Sequence, residues 1–325
     1  MKVCMYGAGA IGGWIGHGLA GAGADVSMVA RGATLAALDA HGLRLAHAGS
    51  VTSQPVRASS SPADFGVQDL VIISVKAPSL PDVARHIAPL MGPQTVVMTA
   101  MNGVPWWFLH GFGGAYANQP IASVDPQGSI ARAIAPQHII GCVVHASCST
   151  DSPGVVRHHF GNKLIIGEPS GAKSQRVSEL AALLEKAGFE VLVSEQIQKD
   201  IWFKLWGNMT VNPISALTGA TTDLILNDDL VRGFISRVML EAKEIGQRLG
   251  VDIDQQPEDR HAVTLKLGAF KTSMLQDVEA GKAVELDALV TVVKELGALT
   301  GTATPYTDAL LGLSRLHARV HGLYP

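Results

Sequence analysis

A glycine-rich hexapeptide, GAGAIG at residues 7–12, constrains the fold of this 325-residue chain more than any other sequence feature. It directly follows a short apolar strand, KVCMY, and opens a helix-like stretch from Ala10 to Ala22. In that setting Gly7 permits a tight turn, Gly9 lets a pyrophosphate approach the backbone, and Gly12 lets the helix pack closely on the strand. A glycine-rich turn without a ligand is the alternative. The residues expected to contact a bound dinucleotide are Gly7, Ala8, Gly9, Ala10, Ile11 and Gly12.

Short β-branched runs alternate with helical stretches through the first half of the chain. The runs are DVSMVA from residue 25, DLVIISVK from residue 69 and TVVMTA from residue 95. Because they are apolar at most positions, they are typical of strands covered by helices on both faces of a parallel sheet. The sequence therefore predicts an α/β fold whose N-terminal part is a Rossmann-type doubly wound parallel sheet.

The second half of the chain has a helical pattern instead. Apolar residues recur at helical spacing in four stretches, which are Ile201 to Leu217, Leu230 to Leu249, Thr264 to Glu279 and Val284 to Leu299. The last strand-like segment before them is FEVLV, which ends at Val193. We expect two domains, a nucleotide-binding domain at residues 1–194 and an all-helical substrate and catalytic domain at residues 195–325.

The composition argues against several classes of protein and of binding partner. The net charge of -3 provides no broad basic surface for nucleic acid or anionic lipid, and no apolar run reaches the ~20 residues of a membrane span. Cys4, Cys142 and Cys148 lack metal-ligand spacing, so no metal site is expected. Residues 1–6 run straight into the glycine motif without a signal-peptide pattern. We expect a cytoplasmic protein that acts on a small molecule.

Two cations follow predicted strands and bear on the choice of dinucleotide. Arg31 follows VSMVA, where NAD-binding proteins usually place an acidic residue, and Lys76 ends DLVIISVK. A guanidinium fits a 2′-phosphate in bidentate fashion, so the pair favours NADP over NAD. For each residue alone, a solvated surface cation is an equally good interpretation.

Three polar residues at intervals of four, Lys204, Asn208 and Asn212, interrupt an apolar segment, WFKLWGNMTVNPISALTG. At about 100° per residue they share one face of a helix within about 80°. Trp202 and Trp206 and other large side chains occupy most of the remaining surface, so the helix should be buried. Burying an ammonium and two amides is costly without polar partners, which favours a functional site over a solvated stripe.

Two further sets of polar residues can each be interpreted in more than one way. Asn102 and Gly103 follow TVVMTA, where an Asn-Gly pair is compatible either with a plain turn or with a place beside the cofactor. Ser273, Asp277 and Glu285 fall near one face if a single helix continues past Gly281. By itself this second set is typical of an ordinary amphipathic helix with Ser and Glu in solvent.

Taken in order, these motifs resemble the ketopantoate reductases, also called 2-dehydropantoate 2-reductases, over nearly the whole chain. The likeness rests on GxGxxG, Arg31, Lys76, Asn102, the KxxxNxxxNP run from Lys204 to Pro213, and SMLQD followed by Glu285. The resemblance implies NADPH-dependent reduction of a 2-oxo acid to a 2-hydroxy acid, in its most specific form ketopantoate to pantoate in pantothenate biosynthesis.

The resemblance also assigns roles to the polar residues. Lys204 would be the general acid toward the carbonyl oxygen, which agrees with the chemistry of an ammonium beside a developing alkoxide. Asn208 and Asn212 would hold the hydroxyl and carbonyl groups of the substrate, and Ser273 its carboxylate. Glu285 would act beside the nicotinamide ribose and the lysine.

By the same resemblance, Asn102 would lie between cofactor and substrate. Arg31 and Lys76 would lie near the adenosine phosphate.

The sequence departs from the family pattern at two places. An aromatic, glycine-containing stretch after Asn102 includes Trp106, Trp107, Phe108, Phe112 and Tyr116. Thr222 stands about where the family can place a further substrate asparagine. These departures leave open a bulkier or aromatic oxo acid as substrate, and the insertion leaves open a homodimer contact. A non-catalytic NADP-binding redox sensor is a further alternative, although it gives Lys204 no role.

Overall fold

The computed structural model describes residues 1–111 and 113–325 and divides into two compact units. Unit 1 comprises Met1–Met101, Trp107–Gly113 and Gly128–Asp200, and unit 2 comprises Asn102–Trp106, Gly114–Gln127 and Ile201–Pro325. The sequence predicted a single cut between residues 194 and 195. In the structure, two short segments that follow the strand TVVMTA belong to the helical unit. Phe112 lies outside the described residues.

Unit 1 is built on one sheet of ten strands. The strands are β1 (Lys2–Tyr6), β2 (Asp25–Val29), β3 (Leu43–His47), β4 (Ser50–Gln54), β5 (Arg57–Ser59), β6 (Leu70–Ile73), β7 (Val96–Ala100), β8 (Ile139–Ser152), β9 (Val155–Gly167) and β10 (Glu190–Val193). Their order is β4-β3-β9-β8-β7-β6-β1-β2-β5, and β10 pairs with β9. The run from β8 through β7, β6, β1 and β2 to β5 is parallel throughout, which confirms the predicted Rossmann-type sheet.

The helices of unit 1 are α1 (Ala10–Gly21), α2 (Gly32–His41), α3 (Leu80–His86), α4 (Ser129–Ala133) and α5 (Gln175–Lys186). Successive residues of β1 are fully buried, including Val3, Cys4 and Met5, as expected for a strand covered on both faces. Val3 and Met5 belong to a core that also contains Trp14 and Ile15 of α1.

Two antiparallel pairs in the sheet were not predicted. They are β3 with β4 and the long hairpin of β8 with β9. The outer half of β8, HASCSTDS, is rich in small polar residues and only partly buried. Its pairing with β9 contains register shifts between His145 and Ser147 and again between Thr150 and Ser152. These irregularities remove the clean alternation by which a strand is recognised in sequence.

Unit 2 is helical. Helix α6 (Ile197–Thr218) begins in unit 1 and continues into unit 2. The others are α7 (Thr222–Asn227), α8 (Asp229–Leu249), α9 (Pro257–Leu265), α10 (Ser273–Glu279), α11 (Val292–Thr300) and α12 (Pro305–Val320). A turn of π-helix, Asp287–Thr291, leads into α11.

The predicted helices over Ile201 to Leu217 and Leu230 to Leu249 are confirmed by α6 and α8. The helical pattern from Thr264 to Glu279 is divided between two helices, because α9 ends at Leu265 and α10 begins at Ser273. Gly268 between them has a φ of +64°, a conformation that a continuing helix does not allow. The apolar spacing is that of a helix on both sides, but it continues across the turn that separates α9 from α10.

Candidate active site

The glycine motif forms the turn between β1 and α1. Gly7 has a φ of +115°, and Ser74 Oγ donates a hydrogen bond of 3.0 Å to its carbonyl oxygen. A Cβ at Gly12 would lie 2.1 Å from the same oxygen, so only glycine lets α1 approach the strand this closely. A Cβ at Gly9 would meet no atom of the described residues within 4 Å.

Gly9 is the N-cap of α1 and provides no side-chain cap. The first amides of the helix are thus left for another acceptor. This arrangement fits the pyrophosphate of a dinucleotide, because an anion can approach the helix start over a residue that carries no side chain. Ala8, Ala10 and Ile11 lie in the same turn and first helical residues, and all are partly buried.

Arg31 and Lys76 follow the strands that flank β1. Arg31 comes two residues after β2, and its guanidinium lies 2.5 Å from the Asp82 carboxylate, with most of the side chain exposed. Arg85 contacts the other oxygen of Asp82 at 3.1 Å. Lys76 is half-buried and begins a short turn after β6. Because β1 pairs in parallel with both β2 and β6, the glycine loop and both cations belong to the same edge of the sheet.

The polar residues of α6 lie opposite a face that packs on α8. Trp202 and Trp206 are fully buried and donate indole N–H bonds to the carbonyls of Ala242 and Met239, at 3.2 and 2.7 Å. These bonds satisfy the only polar atoms of two large rings and fix the rotation of α6 against α8.

Lys204, Asn208 and Asn212 therefore project from the other side of α6. Lys204 and Asn208 are half-buried, and Asn212 is only 7% exposed. The side chains of Asn208 and Asn212 make no hydrogen bonds to the residues described. Both amides therefore have hydrogen-bonding capacity left for another polar molecule on this face.

The turn at Asn102 and Gly103 is anchored to the segment that follows Glu285. Gly103 has a φ of +81°, and a Cβ there would lie 2.4 Å from the carbonyl oxygen of Ala288. The same carbonyl accepts a 2.9 Å hydrogen bond from Val104 N. The Asn-Gly pair is therefore more than a free turn, since its glycine permits a close backbone contact with the π-helical turn.

Glu285 is 5% exposed and lies just before that π-helical turn. Asp277 on α10 is 7% exposed, and Ser273, the first residue of α10, is half-buried. The interpretation of this set as an amphipathic helix with Glu in solvent is wrong, because the helix ends at Glu279 and Glu285 is buried on a separate segment. π-Helical turns occur frequently at functional sites, and this one follows Glu285 and contacts Gly103 and Val104 within unit 2.

The described aromatic residues of the insertion belong mostly to the protein interior. Trp106, Trp107 and Phe108 are at most 4% exposed, and Trp107 Nε1 donates to Thr99 Oγ1 at 3.3 Å. Tyr116 is half-buried. Thr222 is also buried, and its hydroxyl donates to the carbonyl of Gly268 at 2.7 Å. Thr222 and the three buried rings thus have packing or hydrogen-bonding roles within the chain.

Arg260 and Gly207, which lie beside the polar face of α6, were not identified from the sequence. Arg260 of α9 packs against Gly207, one residue before Asn208, with its guanidinium 5.4 Å from the ring centroid of Phe203. The glycine inside an otherwise bulky segment was the available signal, because a helix interior seldom contains glycine without a close neighbour.

The described residues contain neither a metal-binding cluster nor a membrane-spanning helix. No group of three or more His, Cys, Asp or Glu side chains in residues 1–111 and 113–325 could hold a metal ion. Over the same residues, no helix has the length and apolarity needed to cross a membrane. The three cysteines are free thiols, and burial raises the pKa of Cys4 to about 12.

Comparisons with known proteins place both units in one family. The model of ketopantoate reductase PanE/ApbA matches residues 3–171, and that of its C-terminal part matches residues 196–318. A 2-dehydropantoate 2-reductase of Mesorhizobium japonicum is 46% identical over 325 residues, which covers 100% of both chains. One from Halobacterium salinarum is 26% identical and covers 98% of this chain and 99% of its own.

Among solved structures, a Ralstonia solanacearum protein that carries the ketopantoate reductase name has a TM-score of 0.96. It is 54% identical and covers 99% of each chain. A PanE/ApbA family ketopantoate reductase from Ralstonia eutropha has a TM-score of 0.85 and 27% identity, over 99% of this chain and 100% of that one.

Proposed function

Since the chain belongs to the ketopantoate reductase family, we propose that it reduces ketopantoate to pantoate with NADPH, as a step of pantothenate synthesis. The protein is an oxidoreductase that acts on CH–OH groups, and its fold is of the kind that binds NAD(P)H. The observation that supports catalysis most directly is the polar face of α6. There two asparagines whose side chains make no hydrogen bonds to the described residues stand beside Lys204, opposite the tryptophans that hold the helix.

The bound nicotinamide would supply a hydride to the carbonyl carbon of the oxo acid. Lys204 polarises the carbonyl oxygen and donates the proton that neutralises the new alkoxide, so a ketone gains two electrons and two hydrogens. Asn208 and Asn212 hold the hydroxyl and carbonyl groups of the substrate. A buried Glu285 keeps Lys204 and the nicotinamide ribose in place.

Asn102 and Ser273 complete the proposed substrate contacts. Asn102 is held by the backbone contact of Gly103 with Ala288 and lies between cofactor and substrate. Ser273 begins α10, and its hydroxyl donates to the substrate carboxylate.

We assign the preference for NADPH to Arg31 and Lys76, with the pyrophosphate on Gly7 to Gly12. Arg31 is engaged by Asp82 on the protein surface. Exposed ion pairs contribute only about 0–1 kcal/mol. A 2′-phosphate, with its greater charge and its bidentate geometry, therefore displaces Asp82 at small cost.

The experiment that tests the proposed function is a steady-state assay of the purified protein with NADPH and ketopantoate. We expect consumption of NADPH and formation of one equivalent of pantoate, identified by mass spectrometry. Aromatic and longer aliphatic 2-oxo acids form the comparison panel. A higher kcat/KM for an aromatic oxo acid would replace ketopantoate as the substrate, and tight NADPH binding without turnover of any oxo acid would support the redox sensor.

The substrate panel also decides the alternative of a bulkier oxo acid. That alternative depended on the aromatic insertion, in which Trp106, Trp107 and Phe108 are buried. A homodimer and a cytoplasmic location stay predictions. Light scattering of the purified protein measures the first.

A further inference from the structure

Arg260 is a partly buried cation without a counter-charge among the residues described. Its Nε atom is buried and has no hydrogen-bond partner in that part of the chain. The nearest described aromatic contact is the ring of Phe203, 5.4 Å from the guanidinium carbon. Desolvation by burial lowers the pKa of Arg260 below its usual value. A guanidinium has five N–H donors and cannot lose its charge in proteins, so this position is costly unless an acceptor is bound.

The guanidinium lies against α6 at the point where that helix has no side chain. An added Cβ at Gly207 would lie 2.7 Å from Arg260 Nε and 3.0 Å from one of its terminal nitrogens. Gly207 is three residues after Lys204 and one before Asn208. On a helix these steps are about 60° and about 100° of rotation, so Arg260 lies next to the Lys204 edge of the proposed catalytic face, on the side away from Asn208.

The acceptor that best fits this place is a carboxylate. Carboxylates accept two parallel N–H bonds from an arginine, whereas a neutral ketone or alcohol offers single, weaker bonds. A 2-oxo acid has its carboxylate bonded directly to the reacting carbonyl carbon. If Lys204 takes the carbonyl oxygen, the carboxylate must lie a few ångströms away, which is the distance that separates neighbouring side chains on a helix.

We infer that Arg260 binds the carboxylate of the substrate and selects 2-oxo acids over neutral carbonyl compounds, with Gly207 leaving the space for its guanidinium. The inference rests on the proposed function. It adds a charged partner to the Ser273 hydroxyl, which alone cannot neutralise an anion.

The test compares Arg260→Gln, Arg260→Lys and Gly207→Ala with the wild-type enzyme and with Arg237→Gln, an exposed arginine of α8, as control. Loss of one partner of a desolvated charge pair corresponds to a fall in kcat/KM for ketopantoate of about 100-fold, mostly in KM. Arg260→Lys should lose less than Arg260→Gln. Gly207→Ala should raise KM because its Cβ displaces the guanidinium, and Arg237→Gln should match the wild type.

The neutral lactone of ketopantoate, used as alternative substrate and as competing inhibitor, separates charge recognition from a structural role. Its kcat/KM or inhibition constant should change by less than about threefold in Arg260→Gln, because it has no carboxylate. The inference is overturned if KM for ketopantoate stays near the wild-type value, or if acid and lactone lose affinity equally. Failure of the wild-type enzyme itself to reduce ketopantoate would instead refute the proposed function.

Discussion

Lys204 owes its position to two tryptophans that are fully buried on the other side of α6. The indole N–H groups of Trp202 and Trp206 bond to carbonyls of α8, and this pair sets the rotation of α6 about its own axis. Since side chains four residues apart share a face, the rotation that buries the tryptophans also orients the lysine and the two asparagines. The site is thus an indirect product of core packing.

Replacement of Lys204 by Ala should reduce kcat by about 100-fold or more, the usual effect of losing a general acid. The dissociation constant of NADPH should change little, because the proposed cofactor contacts belong mainly to unit 1. Steady-state kinetics and a fluorescence titration with NADPH measure the two quantities. Lys199→Ala, an exposed position on the same helix, is the control. Near-normal turnover of Lys204→Ala would remove Lys204 from the mechanism.

Arg31→Ala should weaken NADPH binding by about tenfold or more, since a charge-assisted bond is worth about 1.5–3 kcal/mol. NADH has no 2′-phosphate, so its dissociation constant should change by less than about twofold. The matched control is Arg85→Ala, which removes the other guanidinium that contacts Asp82. Titrations with both nucleotides distinguish the cases, and equal losses for NADPH and NADH would contradict the assignment of Arg31 to the phosphate.

The sequence indicated the residues of α6 together because their spacing is a local property of a helix. Arg260 could not be found in the same way, since its contact with Gly207 joins residues on two different helices. The burial of Glu285 was also unavailable from sequence. It depends on the end of α10 and on the π-helical turn, neither of which leaves a clear periodic signal.

In the turn between β1 and α1, one glycine is needed for folding and another for ligand binding. Gly12 is required by the protein itself, because a Cβ would overlap the carbonyl oxygen of Gly7 at 2.1 Å. At Gly9 a Cβ would have no neighbour within 4 Å in the part of the chain that the structure describes. We therefore expect substitution of Gly12 to affect mainly stability and substitution of Gly9 to affect mainly cofactor binding.

Gly12→Ala should lower the free energy of unfolding of the cofactor-free protein by at least about 2 kcal/mol, because a backbone overlap must be relieved by moving α1. Gly9→Ala should cost less than about 1 kcal/mol, the scale of an altered N-cap, yet it should weaken NADPH clearly. Urea unfolding and NADPH titration of both variants provide the measurements. A stable Gly12→Ala protein, or a Gly9→Ala protein that binds NADPH normally, would contradict this division.

The elements that sequence predicted well are those whose pattern follows from burial alone. β1, β2, β6 and β7 are apolar at most positions because both faces are covered, and their parallel pairing follows from the βαβ alternation. The hairpin of β8 and β9 does not have such an apolar pattern. Its outer residues are polar, and the register shifts of β8 break the period of two.

In the whole molecule, the change from a strand pattern to a helical pattern indicated two parts of the chain. It could not indicate that segments which precede α6 in the sequence also belong to unit 2. Residues 102–106 and 114–127 are grouped with the helices. One tertiary contact explains the second segment. The Glu295 carboxylate of α11 accepts hydrogen bonds from Ala122 N and Ser123 N, at 2.6 and 2.7 Å. A pairing over such a sequence distance has no local signature.

Each unit also contains a buried histidine that should make the stability of the molecule depend on pH. His17 of α1 is 8% exposed and bonds through Nε2 to Thr52 Oγ1 at 3.1 Å, and His261 of α9 is 5% exposed and bonds to Ser236 Oγ at 2.9 Å. Desolvation by burial lowers the pKa of both rings below the ordinary value of 6.5.

The unfolded chain therefore binds more protons than the folded protein as the pH falls through about 6.5, and the free energy of unfolding should decrease there. The slope has a ceiling of about 1.4 kcal/mol per pH unit for each histidine, and above about pH 7.5 it should vanish. Urea unfolding between about pH 5.5 and 8, where carboxylates of the unfolded chain stay ionised, measures it. His17→Gln and His261→Gln should each flatten the curve, and their effects should add because the two rings belong to different units. An unchanged slope in the double variant would show that neither ring titrates with unfolding.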